Sequence, residues 1–325
     1  MAEKISLDLK DRKILYELDK NSRQSFNELG KKVGLSKDTV SYRIENLVKK
    51  GVIKSLNAVI DTGKLGFKSF RLFVKFYNLS PEKEQEIINF LLKNKNLLWL
   101  VQVEGNWDIN TWFLYKSIEE MNEFWNKFLE KYNNHIEKRE FAIYSNIYYF
   151  NRVYLLDKKQ LNPPISFVSL SKEENLDEKD LEILNLLAEN ARVSIIDISK
   201  KTRLTPKTII SRIKKLEEKK VIIGYRAEFD LEKLGYKYYK IHISTFNTSK
   251  EKMEKLKQYL YAHPNIVYDN KVLGGYDIEI EIQVENENKL RGFIEELRKN
   301  FSNIIKDYEV LRYYKEYRLR FFPLE

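Results

Sequence analysis

Residues 205–222 read TPKTIISRIKKLEEKKVI, and residues 36–53 read SKDTVSYRIENLVKKGVI. Each stretch opens with a hydroxyl residue that can accept the unsatisfied backbone N–H groups at a helix N-terminus. Apolar residues then recur at helical spacing, while the other faces are basic and rich in hydroxyl groups. Each stretch therefore predicts a short helix with one anchored face, a pattern typical of a helix that enters the major groove of DNA.

The outward-facing residues of these two helices are the candidate DNA contacts. Basic side chains suit phosphates and guanine edges, hydroxyl groups suit phosphates or bases, and an exposed isoleucine suits a thymine methyl group. The candidates are Lys37, Asp38, Ser41, Tyr42 and Arg43 in the first helix, and Lys207, Thr208, Ile210, Ser211, Arg212 and Lys215 in the second. Because the second helix is the more basic, we expect it to contribute more affinity. A helical bundle that binds only proteins is the alternative interpretation.

The two stretches belong to an internal repeat. A shift of 169 residues places Arg43 on Arg212, Asp61 on Asp230 and Asp108 on Asp277 without a gap. Each copy begins with three helical segments, of which the second and third form a helix-turn-helix pattern. Strand-like segments at 55–61 and 224–230 follow, and they predict a wing for each copy. The chain is therefore a tandem duplication of one unit.

A different periodicity occupies the rest of each unit. Strand, helix, strand, strand, helix and strand follow in that order, which is the ferredoxin-like βαββαβ arrangement. Its two helices cover one face of an antiparallel sheet, and we expect the other face to pack against the second copy. The predicted fold class is α+β, with two winged helix-turn-helix domains and two ferredoxin-like domains.

The predicted domain boundaries follow from the repeat. The first winged helix-turn-helix domain spans 1–62 and the first ferredoxin-like domain, for dimerisation and effector binding, spans 63–156. The second pair spans 176–231 and 232–325. Residues 157–175 contain Pro163 and Pro164 among polar residues and predict a linker.

Composition narrows the functional classes. The 325 residues contain 58 Lys and Arg against 48 Asp and Glu, a net charge of +10 that is compatible with a polyanionic partner. There is no cysteine, so disulfides and thiolate sites are excluded. The sequence predicts no cofactor, no metal site and no catalytic residues. It also lacks a secretory signal or a membrane-length apolar segment, which predicts a cytoplasmic protein.

The motifs LDLKDRKIL…NSRQSFNELGKKVGLSKDTVSYRIENLVKKGVI and LDEKDLEIL…NARVSIIDISKKTRLTPKTIISRIKKLEEKKVI resemble the leucine-responsive (feast/famine) Lrp/AsnC regulators. The resemblance covers nearly the whole chain, twice. It implies a transcription regulator that binds double-stranded DNA and uses its C-terminal domain for dimerisation and amino-acid sensing. Members are usually single units, so this chain resembles a pre-fused dimer, and we expect a monomeric pseudo-dimer or a homo-oligomer.

The same resemblance suggests an effector site. A G-x-Y-D motif occurs as Gly274, Gly275, Tyr276 and Asp277, and its first copy reads Gly105, Asn106, Trp107 and Asp108. Hairpin turns alone would account for the glycines. In the family this hairpin borders the effector site, so these residues, Asn106 excepted, are the candidate contacts for an amino-acid effector. The structural and functional interpretations both stay open at this point.

Two other classes of function compete with DNA reading. Siroheme decarboxylases resemble these regulators in fold and work as paired, related subunits, but here only His135, His242 and His263 are available for acid–base chemistry. An adaptor that senses a ligand without binding DNA is the third class. Because both basic helices are retained, the prediction is a non-enzymatic regulator whose two unequal helices recognise unequal half-sites.

Overall fold

A computed structural model describes residues 4–161, 163–167 and 170–322. The first half contains α1 (Leu9–Lys20), α2 (Phe26–Val33), α3 (Lys37–Lys49), β1 (Ile53–Ile60), β2 (Lys68–Phe76), α4 (Pro81–Leu92), β3 (Leu97–Glu104), β4 (Ile109–Tyr115), α5 (Ile118–Tyr132), β5 (Ile136–Tyr149) and β6 (Ile165–Phe167). The second half contains α6 (Glu178–Glu189), α7 (Ile195–Thr202), α8 (Pro206–Glu218), β7 (Ile222–Phe229), α9 (Leu231–Leu234), β8 (Lys237–Thr245), α10 (Lys250–Ala262), β9 (Ile266–Leu273), β10 (Ile278–Val284), α11 (Glu287–Phe301) and β11 (Ile305–Leu319). The predicted α+β duplication is confirmed.

Local capping explains where the three helices of each N-terminal unit begin. Asp8 and Asp177 each form a capping box with an aspartate three residues later. Ser36 and Thr205 accept the backbone N–H three residues into α3 and α8, each at 3.2 Å. Helices α3 and α8 therefore start where the sequence places them.

The strands predicted for the two wings are present as β1 and β7. They pair with each other in antiparallel fashion, across the two units. Each strand of this two-stranded ribbon packs against the helices of the other half. Ala227 and Phe229 of β7 pack with α1–α3, whereas Ala58 and Ile60 of β1 pack with α6–α8. Each three-helix core is thus completed by a strand from the other half of the chain.

Eight strands form a closed ring in the order β2-β4-β3-β11-β8-β10-β9-β5, because β5 also pairs with β2. Each half supplies a four-stranded antiparallel sheet, and its helices cover the outer face. The long strands β5 and β11 join the two halves: β5 pairs with β2 and then with β9, and β11 pairs with β8 and then with β3. The inner faces of the two sheets therefore meet within one chain, as expected.

The predicted linker is more ordered than its composition suggests. Its residues 165–167 form β6, which extends the sheet beside the end of β5. The backbone N–H of Glu174 also donates to the carbonyl of Lys64 at 2.7 Å. Three of its positions, 162, 168 and 169, lie outside the described residues, as do the chain ends 1–3 and 323–325. Across the described ranges, none of the helices is long and apolar enough to cross a membrane.

Candidate DNA-binding surface and central cavity

The outer faces of α3 and α8 are exposed. The aromatic Tyr42 is 70% exposed and the apolar Ile210 is 56% exposed, which is unusual for side chains of this size. Lys37, Asp38, Lys207, Ser211 and Lys215 are exposed as well, whereas Ser41 and Thr208 are partly buried. The Ser41 hydroxyl donates to Glu45, and the Thr208 hydroxyl lies 2.8 Å from that of the capping Thr205. Most of the predicted contacts are thus available on two accessible faces.

Arg43 and Arg212 differ from the other candidates because each has partners within its own domain. Nη1 of Arg43 lies 2.8 Å from a carboxylate oxygen of Asp8 and 2.7 Å from one of Asp11. Nη1 of Arg212 makes the same contacts, at 2.8 and 2.7 Å, with Asp177 and Asp180. The hydrogen bonds that both arginines donate to these carboxylates raise the pKa of each guanidinium group. Their evident role in the structure is to hold each recognition helix against the first helix.

The two helix-turn-helix domains are held together by reciprocal arginine contacts. Nη1 of Arg192 donates to the carbonyls of Ser22 and Gln24 at 2.8 and 2.9 Å. Its counterpart Arg23 donates to the carbonyl of Ala191 in the other domain. The Arg192 guanidinium also lies 4.1 Å from the centre of the Phe26 ring. Together with the β1–β7 ribbon, these contacts fix the distance between α3 and α8.

Both hairpin aspartates predicted to contact an effector have partners in the chain. One carboxylate oxygen of Asp277 accepts from the backbone N–H and the hydroxyl of Thr245 at 2.7 and 2.9 Å. Asp108 accepts from Lys75 Nζ and from the backbone N–H of Phe76, both at 2.7 Å. Each aspartate therefore ties its hairpin to the neighbouring strand. A ligand at either carboxylate would compete with these contacts.

The other hairpin candidates divide between turn and packing roles. Gly105, Gly274 and Gly275 have φ values of 134°, 81° and 100°, which a residue with a side chain rarely adopts. Trp107 is buried against Phe73, and the Tyr276 ring stacks on His242 with centroids 4.2 Å apart. The structure places these residues at the two hairpins, where Trp107 packs on Phe73 and the Tyr276 hydroxyl also donates to Glu309 at 3.2 Å.

The interior of the ring is asymmetric. The first half presents Phe73, Asn110 and Trp112, whereas the equivalent positions 169 residues later are His242, Glu279 and Glu281. Nη1 of Arg71 from the first half contacts Glu279, and Lys240 Nζ lies 3.1 Å from the same carboxylate. Burial opposes the charge of Glu279, but these cations outweigh it and lower its pKa to about 2. The second half therefore supplies more of the ionisable side chains inside the ring than the first half does.

A cavity of about 310 Å³ lies between one mouth of the ring and the β1–β7 ribbon. Aromatic side chains from both halves line it, including Trp99, Trp112, Tyr144, Tyr149, Tyr268 and Tyr313. Exposed Lys54, Glu232 and Lys315 also belong to its lining, so it opens to solvent on that side. Its volume falls within the range of small-molecule sites in proteins.

Beside this cavity lies a buried charged cluster that sequence reasoning missed. Asp19 accepts from the backbone N–H of Arg152 at 2.7 Å and from its guanidinium, and Arg226 Nε lies 3.3 Å from the same carboxylate. Glu228 completes the cluster, 3.3 Å from Arg152. Burial and the neighbouring Arg152 oppose the charge of Arg226, yet Tyr268, Asp19 and Glu228 raise its pKa. Two buried cations thus face two buried carboxylates.

One signal in the sequence could have revealed the cluster. At the repeat-equivalent positions of the other half, Asp19, Arg152, Arg226 and Glu228 are replaced by Ala188, Phe321, Asn57 and Val59. Ionisable residues that appear in only one copy, at positions where the alternation of a strand points inward, indicate a specialised interior. A search of the two copies for identical residues alone misses these charged positions.

Comparisons with known proteins agree with the geometry. A family described as winged helix-turn-helix DNA-binding matches residues 7–54 and 176–223. The HTH-type transcriptional regulator Ptr1 of Methanocaldococcus jannaschii is 34% identical over 118 residues, which are 36% of this chain and 78% of that protein. The HTH-type transcriptional regulator FL11 of Pyrococcus furiosus is 33% identical over 123 residues, which are 37% of this chain and 78% of that protein.

Among solved structures, the siroheme decarboxylase NirDL is similar over the full length. The TM-score is 0.63 at 14% identity, and the match covers 95% of this chain and 92% of that one. Identity this low shows a shared fold alone. The sequence comparisons are more specific. The family model matches both helix-turn-helix segments, and the matched regions cover 78% of Ptr1 and 78% of FL11. The chain therefore belongs to the Lrp/AsnC family of HTH-type transcriptional regulators, as a tandem fusion of two family units.

Proposed function

We propose that this chain binds one double-stranded DNA site with both of its helix-turn-helix domains, as an intramolecular pseudo-dimer that reads two unequal half-sites. The observation that carries the proposal is the rigid connection between the domains through the β1–β7 ribbon and the contacts of Arg23 and Arg192. A fixed separation between two recognition helices lets both enter the major groove on one side of a duplex.

The unequal half-sites follow from the exposed side chains. Asp38 and Tyr42 on α3 stand where α8 carries Lys207 and Ser211. A homodimer presents identical helices and therefore prefers a palindrome, whereas these two helices present different hydrogen-bonding groups to the bases. The half-sites would be separated by about 10 base pairs or a multiple of that distance.

The test is the selection of bound duplexes from a random pool at physiological salt, followed by gel-shift titration of the selected site. We expect one chain per site and two unequal sequence motifs. Ile210→Ala should relax the preference at one half-site and Tyr42→Ala at the other, while Val48→Ala, a change at an exposed residue near the end of α3, serves as the control. A palindromic site bound by two chains would contradict the pseudo-dimer.

A small effector belongs to the proposal as well. The two hairpins are the candidate sites that the family resemblance implies, through Asp108 and Asp277 in particular. An effector there would release the contacts of Asp277 with Thr245 and loosen the end of β8. DNA selection with and without pooled amino acids tests for such an effect, because a ligand that favours one arrangement of the two domains must change the affinity for DNA.

The enzymatic alternative has less support from the side chains. Of the three histidines, His242 alone lies inside the ring, where Nδ1 is 2.9 Å from Glu309 and the ring stacks on Tyr276. It does not line the central cavity. Purified protein that carries the visible absorbance of a tetrapyrrole, or that fails to select any DNA sequence, would favour the enzyme over the regulator.

A further inference from the structure

Two basic residues with a left-handed backbone flank helix α8. Among the residues that the structure describes, the non-glycine positions with a positive φ are Asn78, Asp157, Arg203, Lys220 and Asn247. Asparagine and aspartate tolerate this conformation because their short polar side chains can form local hydrogen bonds. Long basic side chains have no such compensation. Arg203 and Lys220, with φ values of 59° and 55°, therefore keep an unfavourable backbone, and this needs a physical reason.

Arg203 and Lys220, the corner cations, occupy equivalent corners of the second helix-turn-helix domain. Arg203 ends α7 in the turn before α8, and Lys220 lies in the turn between α8 and β7. The positions 169 residues earlier are Gly34 and Gly51, with φ values of 69° and 68°. Glycine adopts this backbone easily because it has no Cβ atom. The second half thus carries a basic side chain at two positions where the first half carries the residue best suited to the backbone.

Capping of helix ends does not explain the corner cations. In the first half, Lys10 Nζ donates to the carbonyls of Val33 and Gly34 at 2.6 and 3.1 Å. Lys233 Nζ donates to the carbonyl of Lys50 at 2.8 Å. Lysines from other elements therefore cap the two helix ends there. Within the described ranges, neither corner cation donates a side-chain hydrogen bond or forms an ion pair, and both are exposed.

The corner cations are also the free cations of their kind. The remaining arginines of the domain, Arg192, Arg212 and Arg226, all contact acceptors within the chain. Arg203 differs from them because its guanidinium group has no acceptor in the described part of the chain. An exposed cation that is kept on an unfavourable backbone, without an internal partner, indicates an anionic partner outside the chain.

The positions of the corner cations suit the phosphates of a DNA duplex. Helix α8 has 13 residues, which corresponds to a length of about 20 Å. The major groove is about 12 Å wide. A helix that lies across the groove therefore brings its two ends to the sugar–phosphate strands on either side. An arginine just before the helix and a lysine just after it can each reach a different strand.

We propose that Arg203 and Lys220 bind phosphates of the two strands that border the groove, so that the second helix-turn-helix domain anchors the chain on DNA independently of base sequence. The first domain has glycine at both positions and lacks these contacts. Phosphate contacts fix a protein on the duplex but carry no direct sequence information. Of the two recognition helices, α3 therefore depends more on contacts with bases. This inference rests on the proposed DNA-binding function and assigns different tasks to the two halves.

Glycine variants test the proposal because they change DNA affinity and stability in opposite directions. Binding of the intact chain to the fluorescein-labelled selected duplex, and to a random-sequence duplex of equal length, is measured by fluorescence anisotropy over a salt series. Arg203→Gly and Lys220→Gly should each lower the magnitude of the slope of log affinity against log salt concentration by about 0.9, which is roughly a fivefold loss of affinity at physiological salt. The loss should be equal on both duplexes, because phosphates are common to them.

The melting temperature supplies the second readout. Each glycine variant removes an unfavourable left-handed side-chain residue, so the melting temperature should stay level or rise by up to about 2 °C. A residue that stabilises the fold would behave in the opposite way. Arg203→Lys and Lys220→Arg keep the charge, and their affinity for both duplexes should stay within about twofold of that of the wild type.

Two controls on the ring separate charge from backbone. Asn247→Gly removes a left-handed residue from the loop after β8 without a change of charge, and DNA binding should be unaffected. Lys95→Gly removes an exposed lysine from the turn after α4, and the salt slope should be unaffected. Together they show whether a loss of DNA binding in the corner variants comes from the charge at those two positions.

The outcomes distinguish this inference from the proposed function. If the wild type binds the selected duplex and both glycine variants keep its salt slope, the phosphate anchor is overturned and the proposed function stands. A loss on the selected duplex alone would assign the corner cations to base recognition, and a loss accompanied by a lower melting temperature would assign them to stability; both results overturn the anchor. If the wild type binds neither duplex, the proposed function fails and the anchor fails with it.

Discussion

The charged cluster around Asp19 offers a sharp test of how the two halves are joined. Asp19 is fully buried and accepts hydrogen bonds from Arg152 and Arg226. Arg152 follows the end of β5, and Arg226 lies on β7 of the ribbon. Asp19→Ala would leave two buried guanidinium groups short of a counter-charge and would free the backbone N–H of Arg152. Removal of one partner of a buried ion pair costs about 3–5 kcal/mol. We expect the free energy of unfolding to fall by that amount.

The molecule itself supplies the matched control. The opposite junction carries Ala188, Phe321, Asn57 and Val59 in place of the four charged residues. The quadruple variant Asp19→Ala, Arg152→Phe, Arg226→Asn and Glu228→Val therefore copies a junction that already exists in this fold. Well-packed apolar groups can replace a buried ionic network at little cost. The unpaired backbone N–H at position 152 remains, which costs about 1–3 kcal/mol.

Urea unfolding followed by circular dichroism measures both variants, with the free energy extrapolated linearly to water. The quadruple variant should be more stable than Asp19→Ala although it contains three further substitutions. The reasoning fails if Asp19→Ala loses less than about 1 kcal/mol, since an unpaired buried charge could not be that cheap. It fails equally if the quadruple variant is the less stable of the two.

Further predictions concern DNA, the hairpins and pH. Lys207→Ala should weaken DNA binding more than Lys37→Ala, because α8 has no acidic residue in its first turn whereas Asp38 follows Lys37 in α3. In gel shifts over a salt series, the slope of log affinity against log salt concentration should fall in magnitude by about 1 for Lys207→Ala. Equal losses of affinity in the two variants would refute the ranking. Asp277→Ala should lower the free energy of unfolding, measured in urea, by about 1 kcal/mol, because the backbone N–H and the hydroxyl of Thr245 lose their acceptor. Unchanged stability would contradict a structural role for this carboxylate. Burial lowers the pKa of His263 to about 4, so the stability that its neutral form contributes is present above pH 6.5 and is lost as the pH falls towards 4. His263→Gln should flatten that loss in urea titrations at a series of pH values, and an unchanged pH dependence would contradict the prediction.

Much of the fold could be predicted because it depends on local signals. The capping residues Ser36 and Thr205 and the apolar spacing behind them start and orient the recognition helices. The strand order of each ferredoxin-like unit follows from alternation and from the repeat. These features involve residues close together in the chain, so periodicity and capping are enough to identify them.

The features that the sequence does not indicate involve contacts across long separations. Alternation within 55–61 predicts a strand but not its pairing with β7. Arg43 is a candidate DNA contact, and nothing near it in the chain indicates its carboxylate partners, which lie 32 and 35 residues earlier. The cavity is formed by residues from both halves, and no single stretch of sequence indicates it.

The exchange of strands by β5 and β11 has a consequence for synthesis of the chain. When the ribosome has completed the first half, β3 and the end of β5 still lack the neighbours that β11 and β9 will provide. At about 5–20 residues per second, the nascent first half waits roughly ten seconds or more with open strand edges. Open edges recruit other strands and promote aggregation. Covalent fusion places the correct partner on the same nascent chain, so that each newly made first half receives its own second half before it meets another molecule.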